Sequence, residues 1–136
     1  TLLGHHAERN TWLTHRGIQV ASTPRDVKSG ADIVVEATGT SNGFALASAF
    51  VRPRGSIILK STYQGNLTFD MAKIVIDEIS IIGSRCGPFA PAIRLLEQKL
   101  IEVKPMIHNH YPLSNGLAAL EQAASKGALK VILCME

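Results

Sequence analysis

Two hydrophobic periods alternate along the chain: short β-branched runs, and longer amphipathic stretches set off from them by small residues. Residues 1–3 read as the end of a strand, and residues 7–16 as a helix closed by Gly17, whose missing Cβ suits a left-handed cap. A strand restarts over 18–20, residues 22–25 turn the chain, and Ile33-Val34-Val35 continues through Glu36 and Ala37 as a strand expected to be buried on both faces. The loop Thr38-Gly39-Thr40-Ser41-Asn42-Gly43 then offers cap candidates to a helix over 44–50, which Arg52-Pro53-Arg54-Gly55 is expected to end. A strand over 56–59, a short helix over 69–76 and a strand over 79–82, closed by Gly83, complete this half. Doubly buried strands alternating with helices predict an α/β fold with a parallel sheet.

From residue 85 the pattern changes to a helix over 88–99, an extended piece over 103–110, a helix over 117–125 and a strand over 130–134. Pro105 lacks an amide donor, which places it at a sheet edge or in a crossing between domains. The boundary falls near Ser84, dividing the chain into 1–84 and 85–136.

The chain's 136 residues are enough for one domain, with roughly two-thirds of the unfolded surface buried. Its charge of +3 is scattered rather than gathered into a stripe, which argues against nucleic acid as a partner. Cys86 and Cys134 lack the spacing of a zinc site or a disulfide framework, so a reducing cytoplasm is expected. No apolar run approaches the about 20 residues of a membrane span, and no signal segment opens the chain. Thr1 enters what reads as a strand, so a preceding segment is expected.

In an open α/β sheet, ligands bind beyond the carboxyl ends of the strands, where loops of small residues admit a cofactor. Three strand ends fit: Thr38-Gly39, Lys60-Ser61-Thr62 and Gly83-Ser84. One such loop alone reads as an ordinary tight turn; three at one sheet edge point to a site.

The order of residues resembles the zinc-type, medium-chain alcohol dehydrogenases, a family that also includes sugar, polyol and threonine dehydrogenases. Nearly the whole chain carries the resemblance: the run from Asp32 to Gly39, Gly55-Ser56-Ile57-Ile58-Leu59, Ile81-Ile82-Gly83-Ser84, and the tail from Val103-Lys104-Pro105 through Tyr111-Pro112-Leu113 to Lys130-Val131-Ile132-Leu133. The tail is the most specific part, matching a Lys-Pro return to the catalytic domain, a Pro-Leu pair before a helix and a basic residue opening the last strand. The resemblance implies a partial Rossmann-like doubly wound parallel sheet lacking its first strand, then a small α+β tail from the catalytic domain. Residues 1–84 would be the partial NAD(P)-binding domain and 85–136 the carboxyl-terminal part of the catalytic domain.

Carried over by position, Gly4 stands where the family's acidic residue selects NAD through the adenosine ribose. Without that carboxylate, His5, His6 and Arg9 are free to offer donors to a 2′-phosphate, which favours NADP over NAD. Thr38 and Gly39 match the loop that passes the cofactor ribose. Lys60, Thr62 and Ile82 match positions whose backbone faces the nicotinamide carboxamide. Lys130 matches the basic residue that reaches toward the pyrophosphate.

The family's Gly-rich pyrophosphate turn and its catalytic zinc ligands match nothing in this sequence, so the resemblance implies no catalytic residue here, zinc only in the parent protein, and no saturable NADPH binding by the chain alone. The absent strand would lie between those ending at Leu3 and Ala37, leaving bare edges that favour a homo-oligomer; the family commonly pairs through the strand matching 79–82. His5-His6 and His108-x-His110 give too few ligands for a metal site, and Cys86 reads as a small residue in a Gly-rich turn. Trp12 reads as packing for the first helix, and no serine–histidine–acid order stands out. The expected parent is an oxidoreductase moving hydride between NAD(P) and an alcohol or carbonyl; the alternative is a non-catalytic α/β module that binds nucleotide weakly or only a protein partner. A methyltransferase-like doubly wound fold ranks last, because its cofactor loops come early in the chain.

Overall fold

The computed structural model describes residues 1–4, 7–62 and 66–135. In chain order the elements are β1 (Leu2–Leu3), α1 (Ala7–His15), β2 (Val20–Ala21), β3 (Ala31–Glu36), α2 (Ser41–Phe50), β4 (Val51–Leu59), α3 (Met71–Ile76), β5 (Ser80–Gly83), α4 (Phe89–Glu97), β6 (Ile107–Pro112), α5 (Gly116–Ala124) and β7 (Lys130–Cys134). They form two compact units, Thr1–Cys86 and the chain from Gly87 onward.

In the first unit every strand pair is parallel. β1 pairs with β2, Leu2 opposite Val20 and Leu3 opposite Ala21, while β3, β4 and β5 form a separate sheet in that order. Parallel neighbours cannot be joined by a tight hairpin, so each needs a crossover, and α1, α2 and α3 supply it. Gly17, at φ 75°, closes α1. Asp26 accepts from both the amide (3.2 Å) and the hydroxyl (2.7 Å) of Thr23 and fixes the 3₁₀ turn Pro24–Asp26. Asp70 caps α3 by accepting from the Ala72 amide at 2.9 Å.

The core lies between α2 and one face of the three-stranded sheet. Phe44, Ala47, Val51, Ile57 and Ile79 are buried together, with Val34, Leu59, Leu67 and Ile74 packed against them. Phe69 meets Phe44 in a tilted ring pair, 4.8 Å between centroids. Ile57 is 0% exposed at the centre of this cluster. Burial of each such large apolar side chain contributes about 1.5–3 kcal/mol.

The opposite face differs from the expectation of a doubly buried strand: Ile33 and Val35 are 64% and 59% exposed, and Ile82 is 47% exposed. Register places Val35, Ile58 and Ile82 on one face and Val34, Ile57 and Ile81 on the other. Only the second of these faces has α2 against it, which is why a uniformly apolar run ends up half open.

Arg52-Pro53-Arg54-Gly55 does not end a helix in a loop but forms the first half of β4. Ala31 pairs with Val51, the register then shifts, and pairing resumes at Ile33 and Ser56. That bulge tolerates Pro53, which has no amide to donate. Arg54 adopts φ 61° while its amide donates to the Asp77 carbonyl at 2.7 Å, and Arg52 reaches Asp32 at 2.7 Å.

In the second unit β6 and β7 pair in parallel, Tyr111 opposite Leu133, and α5 packs on both, burying Ala119. Pro105 sits in a 3₁₀ turn, Lys104–Met106, rather than in an extended piece, because its fixed φ suits a turn ahead of β6.

Candidate functional site

Glu36, Leu59 and Gly83 stand opposite one another at the carboxyl ends of β3, β4 and β5. The chain leaves each end in step: the Lys60 amide donates to the Glu36 carbonyl at 2.8 Å, and the Ser84 amide to the Leu59 carbonyl at 2.9 Å. One loop is also tied directly to the next, the Gly39 amide donating to Ser61 Oγ at 2.8 Å. The loops leaving β3, β4 and β5 therefore start from one rim.

Glu36, a residue the sequence reading left in the strand, anchors this rim. It is 5% exposed. Its Oε1 accepts from the amide and the hydroxyl of Thr38, both at 2.7 Å. Burial alone would push the carboxyl up, but the two Thr38 donors, with the polar groups of Ser61 beside them, favour the charged form and hold it below its usual value. An ionised carboxylate only accepts, so the Thr38 hydroxyl must donate to it. Thr38 Oγ1 in turn receives the Thr40 amide at 3.2 Å and meets Thr40 Oγ1 at 3.0 Å, which makes the Thr40 hydroxyl the donor of that pair. The signal available in the sequence was a charged residue ending an apolar strand, with hydroxyls two residues on and in the next loop; a buried charge requires such partners.

Gly39 has φ 70° and nothing within 4 Å of where its Cβ would stand, so its backbone is open to close approach. Lys60 turns its ammonium onto the Arg85 carbonyl, Thr62 is exposed, and Ile82 lies on the open sheet face. Thr38, Gly39, Lys60 and Ile82 are thus brought to one end of one sheet.

The other predicted positions lie elsewhere. Gly4 follows β1, donates to the Ala21 carbonyl at 3.0 Å and packs against Asn10, whose amide donates to the Gly4 carbonyl at 3.0 Å. His5, His6 and the Arg9 side chain lie outside the described residues. Lys130 opens β7 in the second unit and is exposed. A shallow concavity of about 320 Å³ along α1, lined by Asn10, Thr11, Thr14, His15, Val20 and Ser22, includes none of the rim residues.

Among the described residues no three His, Cys, Asp or Glu side chains gather as metal ligands, so they do not fit a zinc ion. On β6, His108 Nε2 faces Gln122 Nε2 at 3.4 Å and His110 Nδ1 faces Cys134 Sγ at 3.7 Å. Among the described residues no helix is long and apolar enough to cross a membrane.

No protein-family model matches the chain. Among curated proteins, D-arabinitol dehydrogenase 1 of Uromyces fabae is 32% identical over 117 residues, 83% of this chain and 34% of that protein. Sorbitol dehydrogenase of Halalkalibacterium halodurans is 30% identical over 108 residues, 76% of this chain and 32% of that protein. A zinc-type alcohol dehydrogenase-like protein of Escherichia coli is 30% identical over 109 residues, 78% of this chain and 30% of that protein. The chain thus spans about a third of the length of these relatives. A solved protein of Sinorhizobium meliloti 1021, described as a zinc-binding dehydrogenase bound to NADP, shares the fold with a TM-score of 0.85 at 17% identity, covering 98% of this chain and 44% of its own. With its parallel α/β sheet and these relatives together, the chain belongs to the zinc-type alcohol dehydrogenase family, of which it spans a part.

Proposed function

We propose that this chain forms part of the dinucleotide site of an oxidoreductase that transfers hydride between NAD(P) and an alcohol or carbonyl substrate. The observation that carries this reading is the common rim: Glu36, Leu59 and Gly83 in register, with their loops tied by the Gly39–Ser61 bond. The nicotinamide supplies the hydride chemistry when bound, and the chain's part is position and polarity. Gly39 lets a ribose approach the backbone beside Thr38, and the backbones of Lys60, Thr62 and Ile82 meet the carboxamide.

Residues 1–84 serve as the cofactor domain's portion, and 85–136 as the catalytic domain's, with Lys130 directed to the pyrophosphate. Gly4 favours NADP over NAD. A Cβ there would stand 2.7 Å from Asn10 Oδ1 and 2.9 Å from Leu2 Cδ2, so an acidic side chain would have to displace both. His5 and Arg9 are the donors assigned to the 2′-phosphate. Zinc belongs to the whole protein rather than to the described residues, and the chain alone does not turn over substrate. The whole protein works in the cytoplasm as a homo-oligomer.

The test is a titration of the isotope-labelled chain with NADPH, NADH and reduced nicotinamide mononucleotide up to millimolar concentration, followed by amide shifts. Weak, non-saturating binding that moves Thr38, Gly39, Lys60 and Ser84, with NADPH acting more strongly than NADH near Gly4, is the expected result. Shifts confined to other surfaces, or none, would favour a non-catalytic module that binds a protein partner.

A further inference from the structure

The rim's polarity is set from beneath. The amide of Thr38 goes to the Glu36 carboxylate, that of Gly39 to Ser61 Oγ, that of Thr40 to Thr38 Oγ1, and that of Lys60 to the Glu36 carbonyl. The hydroxyls run the same way, Thr40 to Thr38 and Thr38 to Glu36. Glu36 therefore terminates the donor chain of the loop leaving β3, and the amides of Thr38, Gly39, Thr40 and Lys60 are all taken up within the rim. Gly43, in the first turn of α2, makes room for this: a Cβ there would overlap both Thr38 Oγ1 and Glu36 Oε1.

We propose that Glu36 is a positioning residue for the rim: its carboxylate fixes Thr38, and through it Thr40, in the loop leaving β3, which holds Gly39 against Ser61 of the loop leaving β4 and keeps these amides occupied within the rim. The inference rests on the reading of the rim as a dinucleotide site. Such a rim suits ligand groups that donate, ribose hydroxyls and a carboxamide, and disfavours a bare anion.

The experiment compares the wild-type chain with Glu36→Gln, Glu36→Asp and Ser61→Ala by amide exchange and by titration with NADPH. In Glu36→Gln the Thr38 and Gly39 amides should exchange about tenfold faster or more, while Ile57 is unchanged, because Thr38 loses its charged acceptor and Gly39 the neighbour that holds it against Ser61. The NADPH-induced shifts at the rim should weaken in parallel, with Glu36→Asp recovering part of both effects. Ser61→Ala keeps the carboxylate and should free Gly39 while leaving Thr38 protected, and Glu36→Asp, whose shortened carboxylate should raise Thr38 exchange part of the way, decides the matter if Glu36→Gln does not fold. Loop exchange or NADPH response that stays at the wild-type level in the folded variants overturns the role of Glu36 alone. A wild-type rim that does not respond to NADPH overturns the dinucleotide reading, and this inference with it.

Discussion

Gly43 lies so close beneath Thr38 that a β-carbon on it would overlap the Thr38 hydroxyl. The neighbouring loop cannot yield cheaply, since that hydroxyl is already held by Glu36 at 2.7 Å and by the Thr40 amide at 3.2 Å. Gly43→Ala should therefore cost about 1–3 kcal/mol, the usual penalty of overpacking a filled site. Urea denaturation measures the loss, and faster exchange of the Gly39 amide should accompany it. A variant as stable as the wild type would mean that the loop has slack.

Burial on one sheet face only makes a second, sharper expectation. Ile57→Ala empties a site at 0% exposure and should destabilise the chain by about 2–5 kcal/mol. Ile33→Ala, on the same sheet at 64% exposure, should change stability by no more than about 0.5 kcal/mol. Denaturation of the two variants side by side checks this; equal losses would place a covering layer over Ile33.

The contrast marks where sequence was informative. Lys130–Cys134 forms the strand its apolar run predicts, and Gly17 closes α1 as its missing side chain suggests, because both depend on local chemistry. The exposure of Ile33 and Val35 was not legible, since an apolar run reports what a strand can bury and not whether a second layer is there to cover it. Residues 52–55 misled because Pro-Arg-Gly reads as a turn, while the bulge that absorbs it depends on pairing with Ala31 and Ile33 twenty or so residues away. The anchoring role of Glu36 is not legible from a strand position, because it depends on how the loop beyond β3 folds Thr38 back onto the carboxylate. The three small-residue loops were found as a set, and the register of β3, β4 and β5 supplies the reason they belong together.

Acid should loosen the rim before the core. Glu36 titrates below its ordinary value in the folded chain, so its contribution is fully present above the unfolded carboxyl's value, about 4.3, and is lost as pH falls through the lowered folded one. Between about pH 6 and pH 3 the stability difference between wild type and Glu36→Gln should shrink toward zero, since a glutamine has no proton to gain. Denaturation curves over that range test it. A difference that stays constant, or grows on acidification, would mean that the folded carboxyl is not held in its charged form.

The bare edge of β3 leads to the last expectation. Among the described residues β3 pairs with β4 alone, so its other edge has no strand partner, beside the exposed side chains of Ile33 and Val35. An open strand edge next to an apolar face is a template for pairing, and nothing in Ala31–Glu36 blunts it: there is no proline, and Asp32 is engaged by Arg52 at 2.7 Å. The chain should therefore self-associate as its concentration rises, by pairing edges or by exchanging elements. Val35→Lys puts a charge in the middle of that surface at a position already 59% exposed, and so should shift sedimentation toward monomer at a stability cost of no more than about 0.5 kcal/mol. A wild-type chain that sediments as a monomer at high concentration, or a Val35→Lys chain that associates as well as the wild type, would show that this edge is not the contact.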